Sequence, residues 1–381
     1  MNILNAIQEV FHLPELHAAA WGFVCTFLLC VFLVMTKRWH GKLTMDSSNG
    51  VQKFHTTPTP RIGGVPIVLG LIAAWTQAPD EFRKMLTPIV LAGMPAFIFG
   101  VAEDITKRVS VMQRLLATMA SGLLAWWITD YSLSRVDVWA IDWFLKFAVV
   151  SVAFTAFSVG GVANAINIID GFNGLASIMS TLAFMGYAMM AWQLGDSQLA
   201  GLCLVLAACI WGFFWVNWPF GQIFLGDGGS YFVGFALAWV AVMLIERNPT
   251  VSAFAVLLVC SHPVIEVLFS IFRRRIKKLP PGQPDRLHFH SLIKQRYVRR
   301  WFGDFSNAVR NSITGFFVGF MTITAIIFAN FFIVNVGLSF IALVALWLGY
   351  IAIYARIVRF KWCSPIAFLL RKPRIEVSLS T

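Results

Sequence analysis

The chain has 381 residues, 58% of them hydrophobic and only 13% charged, against about 25% charged in soluble domains. Its 35 Phe and 15 Trp fall in long apolar blocks that water cannot solvate, which excludes a soluble enzyme, a disordered chain and a secreted disulfide scaffold and reads as an integral membrane protein. The net charge of +12 clusters in loops between those blocks, so it points to anionic lipid and membrane orientation and not to nucleic acid.

Residues 1–15 carry Glu9 and Glu15 but no Lys or Arg. The first apolar run, His17 to Met35, stops at Lys37-Arg38, the pattern of a retained anchor and not of a cleavable signal. A helical span needs about 20 apolar residues to cross a core of about 30 Å. Eleven segments are candidates: 16–36, 61–78, 86–102, 111–129, 143–160, 174–193, 198–216, 229–246, 251–272, 313–334 and 336–357. The expected architecture is all-α, a single polytopic membrane domain over 1–381. With the N-terminus outside and the C-terminus cytoplasmic, the inside loops hold 25 of the 30 Lys and Arg, which sets the orientation by the positive-inside rule. Loop 37–61 is the first of these, and loop 273–312 is the longest and most basic. Trp126, Trp127, Trp139 and Trp143 fall at span ends, as an interfacial belt should. Five of the six cysteines lie in apolar segments without a zinc-type spacing, so free core thiols are expected.

Two inside loops, 161–173 and 217–228, carry no Lys or Arg at all. They hold Asn164, Asn167, Asp170 and Asn173 in one, and Asn217 with the run Gly226-Asp227-Gly228-Gly229-Ser230 at the end of the other. Glu103 and Asp104 close the third span. Carboxylates at a bilayer are costly and are functional candidates by default. These share one interface, whereas an ion pathway would put them at mid-plane. Converging carboxylates suit a hard divalent cation, and Mg²⁺ is typically held by one or two of them together with substrate phosphates. The glycine-rich run opening a helix offers exposed N–H groups to an anion. In the basic loop, Asp285-Arg286 precede His288 and His290, a set suited to contacting a pyrophosphate or stabilising charge. His55 and Arg61 could add cationic contacts from loop 37–61. Glu266, one turn after His262 in the ninth span, is close enough to Arg273–Arg275 to pair with an arginine.

Taken together, these elements resemble the polyprenyl-phosphate N-acetylhexosamine-1-phosphate transferases. The resemblance runs from about His55 to Arg300 and rests on five motifs in order: Pro58-Thr59-Pro60-Arg61-Ile62-Gly63-Gly64; Glu103-Asp104; Asn164-x-x-Asn167-x-x-Asp170-Gly171-x-x-Gly174-Leu175; Asn217 followed by Gly226-Asp227-x-Gly229-Ser230; and Asp285-Arg286-x-His288-x-His290. It implies that a polyprenyl (undecaprenyl) phosphate attacks the β-phosphate of a UDP-N-acetylsugar and releases UMP. The setting would be the cytoplasmic face of a bacterial inner membrane, at the start of lipid-linked glycan synthesis. It also implies Mg²⁺ as cofactor, with Mn²⁺ an alternative, and Asp227 and Asp104 as metal-site residues. Glu103, Asp104, Asp170, His288 and His290 would be catalytic. Substrate contacts would come from His55, Arg61, Asn164, Asn167, Asn173, Asn217, Gly228, Ser230 and Arg286. Glu103 stands where the family usually has Asp, Asn173 where many members have a second Asp, and Ser291 where there is a further His. The identity of the sugar and the choice between monomer and homodimer stay open. The alternative from another class is a secondary transporter of an anionic or lipid-linked substrate, which predicts pseudo-symmetric halves and mid-plane ionisable groups; the sequence has neither.

Overall fold

The computed structural model describes residues 14–46, 58–278 and 287–359. Nearly all of it is helix, because a backbone in hydrocarbon must satisfy its own hydrogen bonds. In chain order the first helices are α1 (Pro14–Met35), α2 (Lys37–Thr44), α3 (Gly64–Gln77), α4 (Asp80–Ala92), α5 (Met94–Thr106), α6 (Val111–Thr129) and α7 (Trp139–Leu145). The central group is α8 (Ala148–Ile169), α9 (Leu175–Gln193), α10 (Ser197–Asn217) and α11 (Gly226–Arg247). They are followed by α12 (Ala253–Val259), α13 (Ser261–Ile276), α14 (Phe289–Ile293), a turn of π-helix (Lys294–Val298), α15 (Arg299–Trp301), α16 (Asn307–Phe320), α17 (Thr322–Phe331) and α18 (Val336–Val358). Two-residue strands β1 (Met45–Asp46) and β2 (Thr59–Pro60) pair antiparallel, Met45 opposite Pro60.

Every expected apolar segment contains helix, but the expected count of eleven spans is not reached. Among the described residues seven helices are long and apolar enough to cross a bilayer, or nine if two bent pairs each count as one span. The pairs are α4–α5, bent by 42°, and α12–α13, bent by 83°. Pro95 just after Gly93 and Pro263 just after Cys260 mark the breaks, where a missing N–H interrupts the ladder. Segment 61–78 holds only the 14 residues of α3, about 21 Å at 1.5 Å per residue. The 19-residue α6 is outside the set of seven; Gln113 closes a capping box with Ser110, and Arg114 follows in the same first turn.

The core is organised around α11, which is buried over nearly its whole length and packs against α8 and α5. Its N-terminus, the C-terminal ends of α5 and α8, and the N-terminal ends of α3, α6 and α9 all meet at one end of the bundle. Glycines make that approach close. A Cβ on Gly64 would lie 2.3 Å from the Gly229 nitrogen, and one on Gly100 would lie 2.5 Å from the Gly228 Cα. At the opposite end, Arg247 at the tail of α11 forms a two-pronged ion pair with Asp196 at the head of α10, 2.7 and 2.8 Å. The described cysteines are all free thiols, as expected; Cys363 lies outside the described residues.

Candidate active site

The site is assembled around the first turn of α11. Segment 60–64 is stitched to the loop before it: Phe224 N–H donates to Pro60, Gly63 N–H to Phe224 and Gly64 N–H to Leu225, at 2.8–3.0 Å. This pairing carries Arg61 to the helix start. Gly226 begins α11 with φ +78°, and a side chain there would collide with Asp104 Oδ2 and the Arg61 carbonyl, 2.6 and 2.7 Å away. Only glycine combines that backbone with that crowding.

Asp104, the buried last-turn acid of α5, accepts the Asp227 N–H on Oδ1 and the Gly228 N–H on Oδ2, both at 2.9 Å. It caps a helix N-terminus with a carboxylate, which satisfies orphan donors and complements the dipole. Asp104 stands beside Asp227, and each of its carboxylate oxygens receives one backbone N–H, so it holds the head of α11 in position. Arg61 Nε lies 3.2 Å from Asp104 Oδ1, and its other nitrogen reaches Asp227 Oδ1. Arg114 grips Asp227 Oδ2, with its guanidinium over the Tyr231 ring. Asn167, on the last turn of α8, donates to Asp227 Oδ1 at 3.1 Å and to Ser230 Oγ at 2.8 Å. Asn164 lies one turn earlier on α8 and is half-buried.

Asp170 follows at the end of α8. Burial pushes its carboxyl up to about 7; Arg61 and the Gly226 N–H oppose the shift, while the neighbouring Asp227 and Asp104 add to it. Asp104, Asp170 and Asp227 thus share one electrostatic centre with Arg61. Glu103 lies close enough to act electrostatically on Arg114 and Tyr231. Its Oε2 accepts the Val109 N–H at 2.8 Å, closing the loop that leads to Arg114.

The two histidines approach from the other side. His290 Nε2 lies 3.4 Å from where a Gly171 Cβ would sit, and its ring meets Phe172 edge-on with centroids 5.2 Å apart. Burial drives His290 down to about 3, so it is neutral. His288 stacks on it at 5.4 Å. Lys294, in the π-turn, donates to Asn307 and Asn311 beneath the Phe172 ring. Burial, with Arg310 and Arg299, lowers its amine to about 7.

Asn217 and Asn173, two of the expected substrate contacts, make hydrogen bonds within the fold. Asn217 accepts the Gly174 N–H at 2.6 Å and donates to the Ile223 carbonyl at 2.7 Å. Asn173 donates to Ser312 Oγ at 3.1 Å. Both are buried, and both tie the loop before α9 to its neighbours. His55 and Arg286 lie outside the described residues. Glu266 pairs with His288, not with the arginine that proximity in sequence suggested. Arg114 is a site residue that the motifs do not single out; its signal in the sequence is its place one turn into a helix shortly after an acidic pair.

Among the described residues no group of three or more His, Cys, Asp or Glu forms a ready metal cage; Mg²⁺ is typically held by one or two carboxylates together with substrate phosphates. Asp227 has the chemistry for that part, with its side-chain oxygens facing two guanidinium groups and one amide and no backbone N–H.

The glycosyl transferase family 4 model matches residues 86–245, a stretch that includes Glu103, Asp104, Arg114, Asn167, Asp170 and Asp227. A probable undecaprenyl-phosphate N-acetylglucosaminyl 1-phosphate transferase of Bacillus subtilis (strain 168) is 24% identical over 272 residues, 70% of this chain and 75% of that protein. The undecaprenyl-phosphate alpha-N-acetylglucosaminyl 1-phosphate transferases of Escherichia coli O157:H7 and Salmonella typhi are 25% and 23% identical over 268 residues, 69% of this chain and 72% of each relative. With its acids, arginines and glycines gathered at the head of α11, the chain is similar to glycosyl transferase family 4 over residues 86–245 and to these undecaprenyl-phosphate N-acetylglucosaminyl 1-phosphate transferases over about 70% of its length.

Proposed function

We propose that this protein transfers N-acetylhexosamine 1-phosphate from a UDP-N-acetylsugar to undecaprenyl phosphate at the cytoplasmic face of a bacterial inner membrane. The observation that carries this reading is the meeting of Asp227, Arg61, Arg114, Asn167 and Asp170 at one end of the bundle. Two guanidinium groups and a helix N-terminus are what a diphosphate needs; a carboxylate between them is what a divalent ion needs.

In the reaction, an oxygen of the lipid phosphate forms a new P–O bond to the β-phosphorus of the donor. The bond between that phosphorus and the bridging oxygen breaks, and UMP leaves with the bridging oxygen and its electron pair. Such transfers depend on positioning and charge stabilisation. Arg61 and Arg114 would turn from Asp227 onto the phosphate oxygens, freeing both carboxylate oxygens. Asn167 holds Asp227 in place, and Asp104 holds the helix end that carries it. Asp170, titrating near neutrality, can take a proton from the attacking phosphate. Mg²⁺, when bound at Asp227, would neutralise charge shared by the two phosphate groups.

The cytoplasmic placement is supported by the sequence expectation that the inside loops hold 25 of the 30 Lys and Arg. The product would begin a lipid-linked envelope glycan such as O-antigen or capsule. The test is UMP release by purified protein in detergent from a panel of UDP-N-acetylhexosamines. Release that requires both undecaprenyl phosphate and Mg²⁺ is expected; release that ignores the lipid overturns the reading.

A further inference from the structure

Glu266 lies on α13, just past the 83° break at Cys260, and is only 2% exposed. Its carboxylate receives three donors. His288 Nδ1 is 2.9 Å from Oε1, the Phe289 N–H is 3.1 Å from the same oxygen, and the Tyr350 hydroxyl is 2.8 Å from Oε2. A buried carboxylate needs such partners, and here they come from two separate parts of the chain, segment 288–289 and α18. One of them, Tyr350, belongs to α18, far from the candidate active site in sequence. A turn later on α18, the Tyr354 hydroxyl donates to the Leu287 carbonyl at 2.8 Å. Helices α13 and α18 therefore hold segment 287–289 at both ends.

The chemistry of the pair fixes a proton. An ionised carboxylate only accepts, so the nitrogen of His288 facing it carries hydrogen. That tautomer leaves Nε2 of His288 as the nitrogen open to a ligand. The neighbouring His290 completes the geometry: it stacks on His288, leans on Gly171 and Phe172, and is 3% exposed. Its Nδ1 has no hydrogen-bond partner among the described residues. Nε2 of the same ring is the nitrogen that faces Gly171, so one buried His290 ring offers a polar atom toward the turn and keeps an orphaned one on its other side, which calls for a polar ligand at this ring.

We infer that Glu266 is a positioning residue for transfer, holding His288 in its Nδ1–H tautomer and, with Tyr350, seating the His288–His290 pair against the Asp170–Gly171 turn. Glu266 touches no reacting atom and acts through His288. The inference rests on the transferase reading, because it takes the phosphates of that reaction as the ligand of the histidine pair.

The test combines kinetics with a direct view of the proton. Glu266→Ala is expected to lower kcat about 10- to 100-fold, the usual loss when the group orienting a functional histidine is removed, with KM for the donor changed far less. Glu266→Gln keeps an oxygen opposite Nδ1 and the Phe289 N–H, and is expected to recover most of the turnover. Tyr350→Phe, which leaves that oxygen untouched, should give a smaller loss in the same direction. In a His288→Gln background, Glu266→Ala should add little further loss; full multiplication of the two losses overturns the inference. Nitrogen-15 spectra of histidine-labelled protein in detergent, assigned by comparison with His288→Gln, should show protonated Nδ1 in the wild type and a mixture of tautomers in Glu266→Ala. Protonation at Nε2 alone in the wild type overturns it too. The spectra need no turnover, so absence of UMP release in the wild type would count against the transferase reading and leave the proton assignment standing on its own result.

Discussion

Replacing Gly100 with alanine tests whether catalysis depends on the close seating of α5 against the head of α11. The added Cβ would stand 2.5 Å from both the Gly228 nitrogen and Cα. Ordinary contact begins near 3.4 Å, so the helices must part by roughly 0.9 Å there, the difference of those two distances. Asp104 lies one turn further along α5 and holds the Asp227 and Gly228 amides at 2.9 Å; the same displacement takes both bonds to about 3.8 Å, outside hydrogen-bonding range. A shift of about 1 Å in a catalytic constellation costs about 10²-fold, and overpacking costs about 1–3 kcal/mol in stability. The assay is UMP release at saturating donor alongside thermal unfolding in detergent. Gly161→Ala serves as control, since a Cβ on that residue of α8 meets nothing within 4 Å. If Gly100→Ala turns over like the wild type while the control does the same, the seating of Asp104 is irrelevant to the reaction and the argument fails.

Asp227→Asn should reduce turnover by roughly 10²-fold or more, in line with removing a group that organises transition-state charge; donor-saturated UMP release measures it, and near-normal activity would take Asp227 out of the centre. Asn217→Ala strands the Gly174 N–H and the Ile223 carbonyl, a loss of about 2–4 kcal/mol for two buried groups. Denaturation should show that loss with KM for the donor unchanged, and a raised KM at normal stability would restore Asn217 as a substrate contact. Asp170 has its native pKa raised from the ordinary 3.8 to about 7, so between these values the folded protein binds more protons than the unfolded chain. Stability should therefore fall as pH rises from about 4 to about 7. Asp170→Asn should flatten that slope in thermal unfolding followed against pH in chelator, and an unaltered slope would show that another group is responsible.

Much of this was legible in the sequence, for physical reasons. Long apolar blocks must be helical in hydrocarbon, so segments such as 174–193 and 198–216 became α9 and α10 nearly residue for residue. Acids grouped at one end by topology, and Asp104, Asp170 and Asp227 do meet there. Length alone could not reveal where a span is interrupted, because an apolar run such as 251–272 reads as continuous although it bends by 83° at Cys260, just before Pro263. Amides were harder. Asn167 and Asn217 look alike as polar residues at inside ends, yet one faces Asp227 and the other is consumed by backbone groups, a difference decided by contacts 43 residues apart. The glycines at 64 and 100 carried no visible mark either, since what they accommodate is the backbone of a distant helix. Glu266 was read against its neighbouring arginines; its acceptor role toward His288 and Tyr350 depends on a loop and a helix that sequence proximity does not connect.

The ion pair between Arg247 and Asp196 has a mechanical meaning when set beside the grip of Asp104 on the opposite tip. Held at both extremities, α11 cannot move like a piston along its axis, nor rock about its middle, without breaking one clasp or the other. A device that exposes a cargo alternately to the two leaflets needs such travel. Such travel would cost this helix the Asp196 ion pair at one tip or the two carboxylate-held amides at the other.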